Sequence, residues 1–424
     1  MEKEYIYYPY LSNDYSVYDG FNIKQLCSKY QTPVIIYSMR RILENIRNLK
    51  MAFGGVAIHY AVKANYNPFI VSCIIKNGAG IDAANLNEVK LALMAGAKSS
   101  EIIATPNNLS KEDLLHISRL VATINFDHQG QMDLIRKNLP EIVSFRINPG
   151  IGKGEFTGIT TAGHNVKFGI SPDDSVKAYE SAKKYGAKKF GIHMMTGSNV
   201  LDPEFFREST ERFFGIAAKI SDTLGIEFSF LDIGGGFGVP YDPAKKPLDI
   251  TKTAKYINEN FSKYKNRGYF KSSELIIEPG RYIISDAAIL ISGITSIKNS
   301  DHKIIGIDTG MNTMIRIPLY GAHHEIKIAG YPNSEYRIPS DVAGQVCENT
   351  DYLARNILLP DVQVGDLALI LNAGAYVSSM ASNYNLLGTP AEVAIEGDKD
   401  ILIRKRSSLD AMIDGFLEGS SWHL

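Results

Sequence analysis

The chain has 424 residues and a mass of 46.8 kDa, a length that predicts two domains. Hydrophobic residues make up 45% and charged residues 21%, which is ordinary for a globular enzyme with a large core. The formal net charge of −1 provides no excess positive charge for nucleic acid or an anionic membrane surface. We expect no signal peptide, because the polar, aromatic N-terminus lacks the basic-then-apolar pattern, and no membrane span, because no later apolar run is long enough.

The cysteine content points away from an oxidising compartment. Only three cysteines occur, at Cys27, Cys73 and Cys347. They are too few and too scattered for a disulfide framework or a zinc site. We therefore expect a cytoplasmic protein, and we predict no metal site.

The N-terminal part contains a tyrosine-rich segment and a short predicted helix near Ile23–Tyr30. A strand is predicted at Val34–Tyr37, followed by a helix through Leu49. From Val56 onward, apolar strand-like runs alternate with helical patterns, which predicts a parallel sheet. Eight such units match a (β/α)8 barrel of the TIM type. The eight predicted strands are Val56–Val62, Ala79–Ala83, Glu101–Ala104, Ala122–Phe126, Ile142–Ile147, Phe190–His193, Phe228–Ile233 and Leu275–Ile277.

After Arg281 the pattern changes to short strands with few helices, which predicts a mainly β second domain. We place the barrel domain at 33–282 and the β-rich domain at 1–32 and 283–424, with a helical tail from Ser407. A doubly wound sheet is the competing architecture, but no glycine-rich fingerprint follows the first strand. The predicted strands of the second domain are Ala287–Ile297, Lys303–Ile307, Glu325–Ala329, Asp366–Leu371, Glu392–Ile395 and Ile401–Arg404.

Polar residues and glycines follow the predicted barrel strands, where the active site of such a barrel is built. Lys63 is placed to react with an aldehyde, Gly234–Gly236 to bind a phosphate, and Glu278 to pair with a cationic ring nitrogen. Together these groups describe a site for pyridoxal 5′-phosphate. Each residue alone has a simpler explanation: a lysine that reaches solvent at a strand end, or glycines that a tight loop needs anyway.

From the segment Tyr60–Asn65 to Tyr384-Asn385, the sequence resembles the fold-type III pyridoxal-phosphate-dependent decarboxylases. The resemblance covers nearly the whole chain. It implies a barrel, a β domain, and a homodimer whose active sites use residues from both subunits. Lys63 would carry the cofactor and Glu278 would face its pyridine nitrogen. The resemblance also implies further cofactor contacts by His193, Ser198, Gly235, Gly236, Gly280, Arg281 and Tyr376.

The second domain contains further segments of the family pattern. By the resemblance, Cys347 would be the acid that protonates the substrate carbon after carbon dioxide leaves. Glu348 would recognise the distal ammonium of the substrate, and Tyr376 would touch both cofactor and substrate. The remaining substrate contacts implied by the family, to one carboxylate, are Arg281, Arg316 and Tyr320.

The implied reaction is the decarboxylation of meso-2,6-diaminopimelate to L-lysine and carbon dioxide, the last step of lysine biosynthesis. Alternatives are decarboxylation of ornithine, arginine or a carrier-bound glutamyl group, an alanine-racemase-type reaction, or a homologue without catalysis. Glu278 argues against a racemase, because that group generally places an arginine at the pyridine nitrogen. The presence of both Lys63 and Cys347 argues against loss of catalysis.

The chain departs from the family pattern at several positions, which leaves the substrate open among these alternatives. Met195 replaces a histidine that stacks on the cofactor ring, and Asn85 replaces a serine. Ile317 separates Arg316 from the proline that usually follows it. Leu387 and Thr389 stand where the family usually has arginines.

Overall fold

The computed structural model of the chain describes Tyr8, residues 10–299 and residues 303–417. Its backbone divides into two compact units. The barrel unit comprises Leu43–Pro240 and Lys246–Ile283, and the β unit comprises the chain up to Ile42, Tyr241–Lys245 and the chain from Ile284 onward. No helix in the described part of the chain is long and apolar enough to cross a bilayer.

The strands, in chain order, are β1 Val17–Tyr18, β2 Phe21–Asn22, β3 Val34–Ser38, β4 Ala57–Ala61, β5 Gly80–Ala83, β6 Ile102–Ala104, β7 Thr123–Phe126, β8 Ile142–Ile147, β9 Lys189–Met194, β10 Phe228–Asp232, β11 Glu274–Ile277, β12 Ala288–Asn299, β13 Lys303–Ile307, β14 Ile326–Ile328, β15 Ile338–Ala343, β16 Tyr352–Leu359, β17 Leu367–Ile370, β18 Ala391–Glu396 and β19 Lys399–Arg404. The helices are α1 Ile23–Tyr30, α2 Met39–Phe53, α3 Pro68–Lys76, α4 Leu86–Met94, α5 Lys111–Leu120, α6 Gln129–Leu134, α7 Pro172–Lys184, α8 Pro203–Leu224, α9 Ile250–Asn266, α10 Arg281–Ile284, α11 Arg316–Tyr320 and α12 Leu409–Leu417.

Strands β4 to β11 form a closed parallel barrel, which confirms the predicted architecture. Strand β11 pairs with β4 and so completes the ring. Ile103 of β6, Phe230 of β10 and Ile276 of β11 belong to one buried apolar cluster. Because β6 and β10 lie on opposite sides of the ring, this cluster fills the barrel interior. It excludes water below the polar side chains at the carboxyl ends of the strands.

Side-chain caps fix where six helices of the barrel unit begin. In each case an oxygen of the residue before the helix accepts a hydrogen bond from a backbone N–H of the first turn. The position of the cap therefore sets the length of the loop that connects each strand to its helix. The capping residues are Asn67, Asn85, Ser110, Ser171, Asp202 and Asp249.

Strand β3 belongs to the sheet of the β unit, although we predicted the barrel domain to begin at residue 33. It pairs antiparallel with β12 and parallel with β18. All five of its residues are buried. A short strand that is buried on both faces carries no pattern to show which sheet it joins. The division between the units falls inside α2, between Ile42 and Leu43.

The sheet of the β unit has the order β16-β15-β13-β12-β3-β18-β19, with β17 beside β12 and β14 beside β17. The six strands predicted for this region are present, with bounds shifted by a few residues. We did not predict β15 and β16, because Pro339 interrupts the first and the second exposes residues on both faces. The predicted tail helix is present at Leu409–Leu417, and residues 418–424 lie outside the described residues.

Candidate active site

Lys63 lies in a short 3-10 turn, Val62–Ala64, directly after β4. The Tyr60 hydroxyl donates a hydrogen bond to the Asn65 carbonyl oxygen at 3.0 Å. The Asn65 side chain accepts one from the backbone N–H of Asn67 at 2.9 Å, and Asn67 then caps α3. The strand carries the lysine to the carboxyl end of the barrel, and these bonds hold the turn in place.

The Lys63 ammonium forms an ion pair with Asp82 of β5, with 2.8 Å between Nζ and Oδ2. The Asp82 side chain is 1% exposed, whereas the Lys63 side chain is 42% exposed. The loop after β5 is closed by Glu88, whose carboxylate accepts the N–H of Ala84 at 2.7 Å. A buried carboxylate thus orients an amine that stays accessible, as a reaction with an aldehyde requires.

The loops after β9, β10 and β11 interlock. The Gly234 carbonyl oxygen accepts the N–H of Glu278, and the Gly236 carbonyl oxygen accepts the N–H of Val200, both at 2.9 Å. A Cβ at Gly235 would lie 2.2 Å from the Glu278 carbonyl oxygen, so only glycine fits there. The glycine loop is therefore held between the other two.

The loop after β11 also contacts the lysine turn. A Cβ at Gly280 would lie 2.9 Å from the Cβ of Ala64, so a side chain there would displace the turn. Arg281 is 6% exposed and donates from Nη2 to the Ser198 hydroxyl at 3.1 Å. The glycine loop, a hydroxyl and a guanidinium group together suit an anion such as a phosphate.

A buried cluster of His193, Asp232 and Glu278 lies at the carboxyl ends of β9, β10 and β11. One side-chain nitrogen or oxygen atom of each residue lies within 4.8 Å of the others. His193 Nε2 is 3.1 Å from Glu278 Oε2. Asp232 Oδ1 accepts the N–H of Gly234 at 2.8 Å. The cluster therefore connects the three interlocked loops to the barrel strands.

The two carboxyl groups of this cluster have opposite pKa shifts. Burial, followed by the charge of Glu278, raises the pKa of Asp232 well above its usual value. Burial also raises the pKa of Glu278, but the charge and hydrogen bond of His193 and the charge of Lys63 outweigh it and lower this pKa to about 2. Glu278 is thus an anion at neutral pH, and Asp232 binds a proton more readily than a free aspartic acid.

In the β unit, Cys347 is exposed in the loop between β15 and β16. Its backbone N–H donates to Asn385 Oδ1 at 2.7 Å. The Asp351 carboxylate accepts the N–H of Val346 at 2.7 Å and the N–H of Met311 at 2.6 Å, which ties two loops together. The thiol is therefore accessible, while the backbone that carries it is fixed on both sides.

The neighbouring Glu348 is also exposed, and its carboxylate accepts a hydrogen bond from the Tyr384 hydroxyl at 2.5 Å. Tyr320 is half-buried at the end of α11. Tyr376 is half-buried after β17 and has φ +59°, in the left-handed region that non-glycine residues rarely adopt. Its unusual backbone therefore sets the direction of its side chain.

Arg316 is only 2% exposed at the start of α11. Its Nη1 is 2.7 Å from His324 Nε2, and its guanidinium carbon is 4.4 Å from the centre of the Tyr241 ring. His324 Nδ1 is 2.9 Å from the Leu371 carbonyl oxygen, which can only accept. We infer that Nδ1 carries the proton and that Nε2 accepts from Arg316. The guanidinium group is thus oriented from two sides.

A family model described as "Pyridoxal-dependent decarboxylase, pyridoxal binding domain" matches residues 39–285. The chain belongs to this family. The diaminopimelate decarboxylase of Thermoplasma acidophilum is 40% identical over 396 residues, which cover 93% of this chain and 95% of that protein. This result confirms the predicted resemblance to pyridoxal-phosphate-dependent decarboxylases.

Two solved structures extend the similarity to both units of this decarboxylase. The diaminopimelate decarboxylase of Helicobacter pylori, complexed with L-lysine, is 30% identical, with a TM-score of 0.87 over 94% of this chain and 100% of that chain. The diaminopimelate decarboxylase of M. jannaschii, in complex with L-lysine, is 28% identical, with a TM-score of 0.90 over 97% and 98%. The fold type is therefore shared along almost the whole chain.

Pyridoxal 5′-phosphate is the cofactor of the family, and the barrel residues fit it. Glu278 Oε1 is buried without a hydrogen-bond partner among the described residues. Because this carboxyl is ionised, its open oxygen suits a protonated ring nitrogen. The accessible amine of Lys63 suits the aldehyde, and the glycine loop with Ser198 suits the phosphate.

Two departures of this decarboxylase from the family pattern have a structural explanation. Asn85 caps α4 by accepting the N–H groups of Asn87 and Glu88 at 2.9 and 3.0 Å, a role that serine also fills. Met195 Sδ accepts the N–H of Gly235 at 3.3 Å. The thioether therefore contacts the glycine loop directly.

Sequence reasoning missed several residues that build the site: Asp82, Asp232, Asp351 and His324. Asp82 and Asp232 had a detectable signal, because each is the charged residue of an otherwise uncharged strand. Asp351 and His324 had none, because both lie in loops, where the sequence carries no periodic pattern.

Proposed function

We propose that the enzyme decarboxylates meso-2,6-diaminopimelate to L-lysine and carbon dioxide, and so completes lysine biosynthesis. The observation that carries the proposal is the accessible Lys63 amine, held by Asp82, in one barrel mouth with the anionic Glu278. The substrate class is supported by similarity along both units to diaminopimelate decarboxylases, two of them solved with L-lysine.

When bound, the cofactor supplies an aldehyde for the substrate amine and a ring that withdraws electrons from the substrate α-carbon. Lys63 would hold the aldehyde through the accessible amine that Asp82 orients. Glu278 keeps the ring nitrogen protonated, because it is a buried anion. His193 holds Glu278 Oε2 at 3.1 Å, and Oε1, which has no partner among the described residues, would be open to the ring nitrogen. The phosphate would be held by Ser198, Gly235, Gly236, Gly280 and Arg281.

We assign the proton donor to Cys347, whose Sγ–H delivers a proton to the α-carbon after carbon dioxide leaves. Of the three cysteines, it is the exposed one. Burial raises the pKa of the Cys27 thiol to about 12, so that thiol is inert at neutral pH. Cys73 is half-buried in α3. Accessibility therefore favours Cys347 among the thiols.

Substrate recognition is assigned by the same family pattern. Arg281, Arg316 and Tyr320 bind the distal carboxylate, Glu348 binds the distal ammonium, and Tyr376 contacts cofactor and substrate. A second carboxylate needs oriented guanidinium groups, and the contacts of Arg316 with His324 and Tyr241 provide that orientation.

We further propose that the enzyme is a cytoplasmic homodimer. In this arrangement Cys347 of one subunit completes the lysine site of the other. Support comes from the family pattern and from the exposure of Cys347 and Glu348, which are available to a second chain.

The test is to measure L-lysine and carbon dioxide released from meso-diaminopimelate, in competition with ornithine and arginine. A site that hydrogen-bonds a second carboxylate rejects analogues that lack it by roughly 10⁴–10⁵-fold. We expect strong preference for meso-diaminopimelate. Equal consumption of ornithine or arginine would overturn the substrate assignment and leave the family and the cofactor unaffected.

A further inference from the structure

The carboxyl groups of Asp232 and Glu278 lie together in the most buried part of the barrel mouth. Asp232 is fully buried and Glu278 is 4% exposed. One oxygen of each lies within 4.8 Å of the other and of a His193 ring nitrogen. Two ionised carboxylates this close in a buried site repel each other strongly, so such a pair shares a proton.

The hydrogen bonds around the pair leave one acceptor open on each residue. Asp232 Oδ1 accepts the N–H of Gly234, but Oδ2 is buried without a partner among the described residues. Glu278 Oε2 contacts His193, and Oε1 is the open atom. A buried oxygen that only accepts is costly when nothing donates to it. A proton on Asp232 Oδ2 turns that acceptor into a donor.

The surrounding charges decide which carboxyl holds the proton. The charges of His193 and Lys63 act on Glu278, whereas those that act on Asp232 are the negative charges of Glu278 and Asp82. This distribution lowers the pKa of Glu278 and raises that of Asp232. The titratable groups that act on the pair or on its partners, from β4, the lysine turn, β5, β8 and β9, are His59, Lys63, Asp82, Arg146 and His193.

We propose that Asp232 is a positioning residue: it stays protonated in the working enzyme and donates from Oδ2 to the Glu278 carboxylate. Glu278 is then the single anion of the pair: its Oε2 accepts from both His193 and Asp232, and Oε1 stays open for the cofactor's ring nitrogen. Asp232 acts on the cofactor only through Glu278. The proposal depends on the cofactor assignment and is independent of which amino acid is decarboxylated.

The first test is the pH titration of the absorbance of bound pyridoxal 5′-phosphate in the holoenzyme. Asp232→Asn keeps a neutral donor and the acceptor for Gly234. We therefore expect its titration midpoint to lie within about half a pH unit of that of the unmodified enzyme, and its cofactor affinity within about threefold. Asp232→Ala removes both groups and should weaken cofactor binding by about tenfold or more. Glu278→Gln removes the anion and should shift the pH midpoint of the cofactor absorbance titration. An Asn variant that behaves like Glu278→Gln would overturn the proposal.

A second test starts from the unmodified holoenzyme. The infrared spectrum of the unmodified holoenzyme at neutral pH should contain the carbonyl band of a protonated carboxylic acid. Asp127→Asn, a change of another buried carboxyl of this barrel, should keep the band, and Asp232→Asn should remove it. The absence of the band from the unmodified enzyme would refute the proposal.

A third test uses the stability of the full chain without cofactor. Asp232 has a native pKa above its unfolded value of 3.8, so its stabilising contribution is complete below pH 3.8 and is lost as pH rises toward the native pKa. In that window, the unfolding equilibrium constant of the unmodified protein should rise up to about tenfold more per pH unit than that of Asp232→Asn. Equal slopes would overturn the proposal. None of these tests uses the substrate, so a failure of the proposed reaction would not affect them.

Discussion

The barrel unit and the β unit position their proposed site residues differently. Those of the barrel unit lie at, or within four residues of, the end of a barrel strand. Those of the β unit lie in the short helix α11 or in loops. The hydrogen-bonded register of a closed barrel fixes where a strand ends, whereas a loop needs its own side-chain contacts. Asp351 and Asn385 provide these for Cys347, and His324 provides one for Arg316.

Burial also differs between two barrel residues proposed to hold the cofactor ring and two β-unit residues proposed to act on the substrate. Glu278 and His193 are almost inaccessible, while Cys347 and Glu348 are exposed. The buried pair suits the stationary task of holding a ring. The exposed pair suits a proton transfer and the recognition of a substrate that enters and leaves. The comparison predicts that barrel variants lose the cofactor chemistry itself, and that β-unit variants retain it.

The largest expected effect is that of Lys63→Arg. Arginine keeps the charge opposite Asp82 but cannot hold an aldehyde, so we expect activity to fall by at least about 10⁴-fold while the fold is retained. Reduction of the unmodified holoenzyme with borohydride should attach the cofactor to Lys63, as peptide mapping would show. The control is Lys90→Arg on α4. Attachment to another lysine would contradict the assignment.

Cys347→Ala should bind the cofactor normally and lose about 10²–10⁴-fold in decarboxylation, because the donor of one proton is removed. Cofactor absorbance and product formation are the two measurements. Cys73→Ala, in helix α3, is the matched control and should remain active. A Cys347→Ala enzyme of normal activity would leave the proton donor unassigned.

The same variant tests the proposed dimer. When inactive Lys63→Ala and Cys347→Ala proteins exchange subunits, half of the dimers are mixed, and each mixed dimer has one intact site of two. Roughly a quarter of the normal sites should therefore return. If exchange is verified with labelled subunits and activity stays absent, the two residues do not form a shared site.

The sequence predicted the barrel better than the β unit for a physical reason. Alternation of apolar strands and helices is a strong signal, and all eight barrel strands were predicted within one or two residues of their observed bounds. Lys63 and Glu278 could be predicted because they follow such strands. The membership of β3 could not, since its partners β12 and β18 are more than 240 residues away in sequence. The contact between Arg316 and His324 spans only eight residues, but His324 lies in a loop, so no periodic pattern predicts it.

Arg316→Ala should reduce the preference for meso-diaminopimelate over ornithine by about 10²-fold, because a bond to the distal carboxylate is lost. Arg316→Lys keeps the charge but loses the planar fork, so it should recover only part of the preference. The ratio of kcat/KM values for the two substrates is the measurement. His324→Gln, which keeps an acceptor near the guanidinium group, is the control for orientation. An unchanged ratio in Arg316→Ala would remove Arg316 from the substrate site.

The smallest effect is expected at Met195, which follows β9 and contacts the glycine loop. Its sulfur accepts the N–H of Gly235 at 3.3 Å, a weak hydrogen bond that Met195→Leu removes at nearly constant volume. Loss of a bond of about 1 kcal/mol corresponds to a roughly fivefold weaker affinity for pyridoxal 5′-phosphate. Substrate preference should not change, because the contact is with the glycine loop. Equilibrium dialysis of the cofactor against both proteins measures the difference. A loss of cofactor binding as large as that of a Glu278 variant would mean that the thioether itself holds the ring, and that the barrel unit relies on it as strongly as on its buried charges.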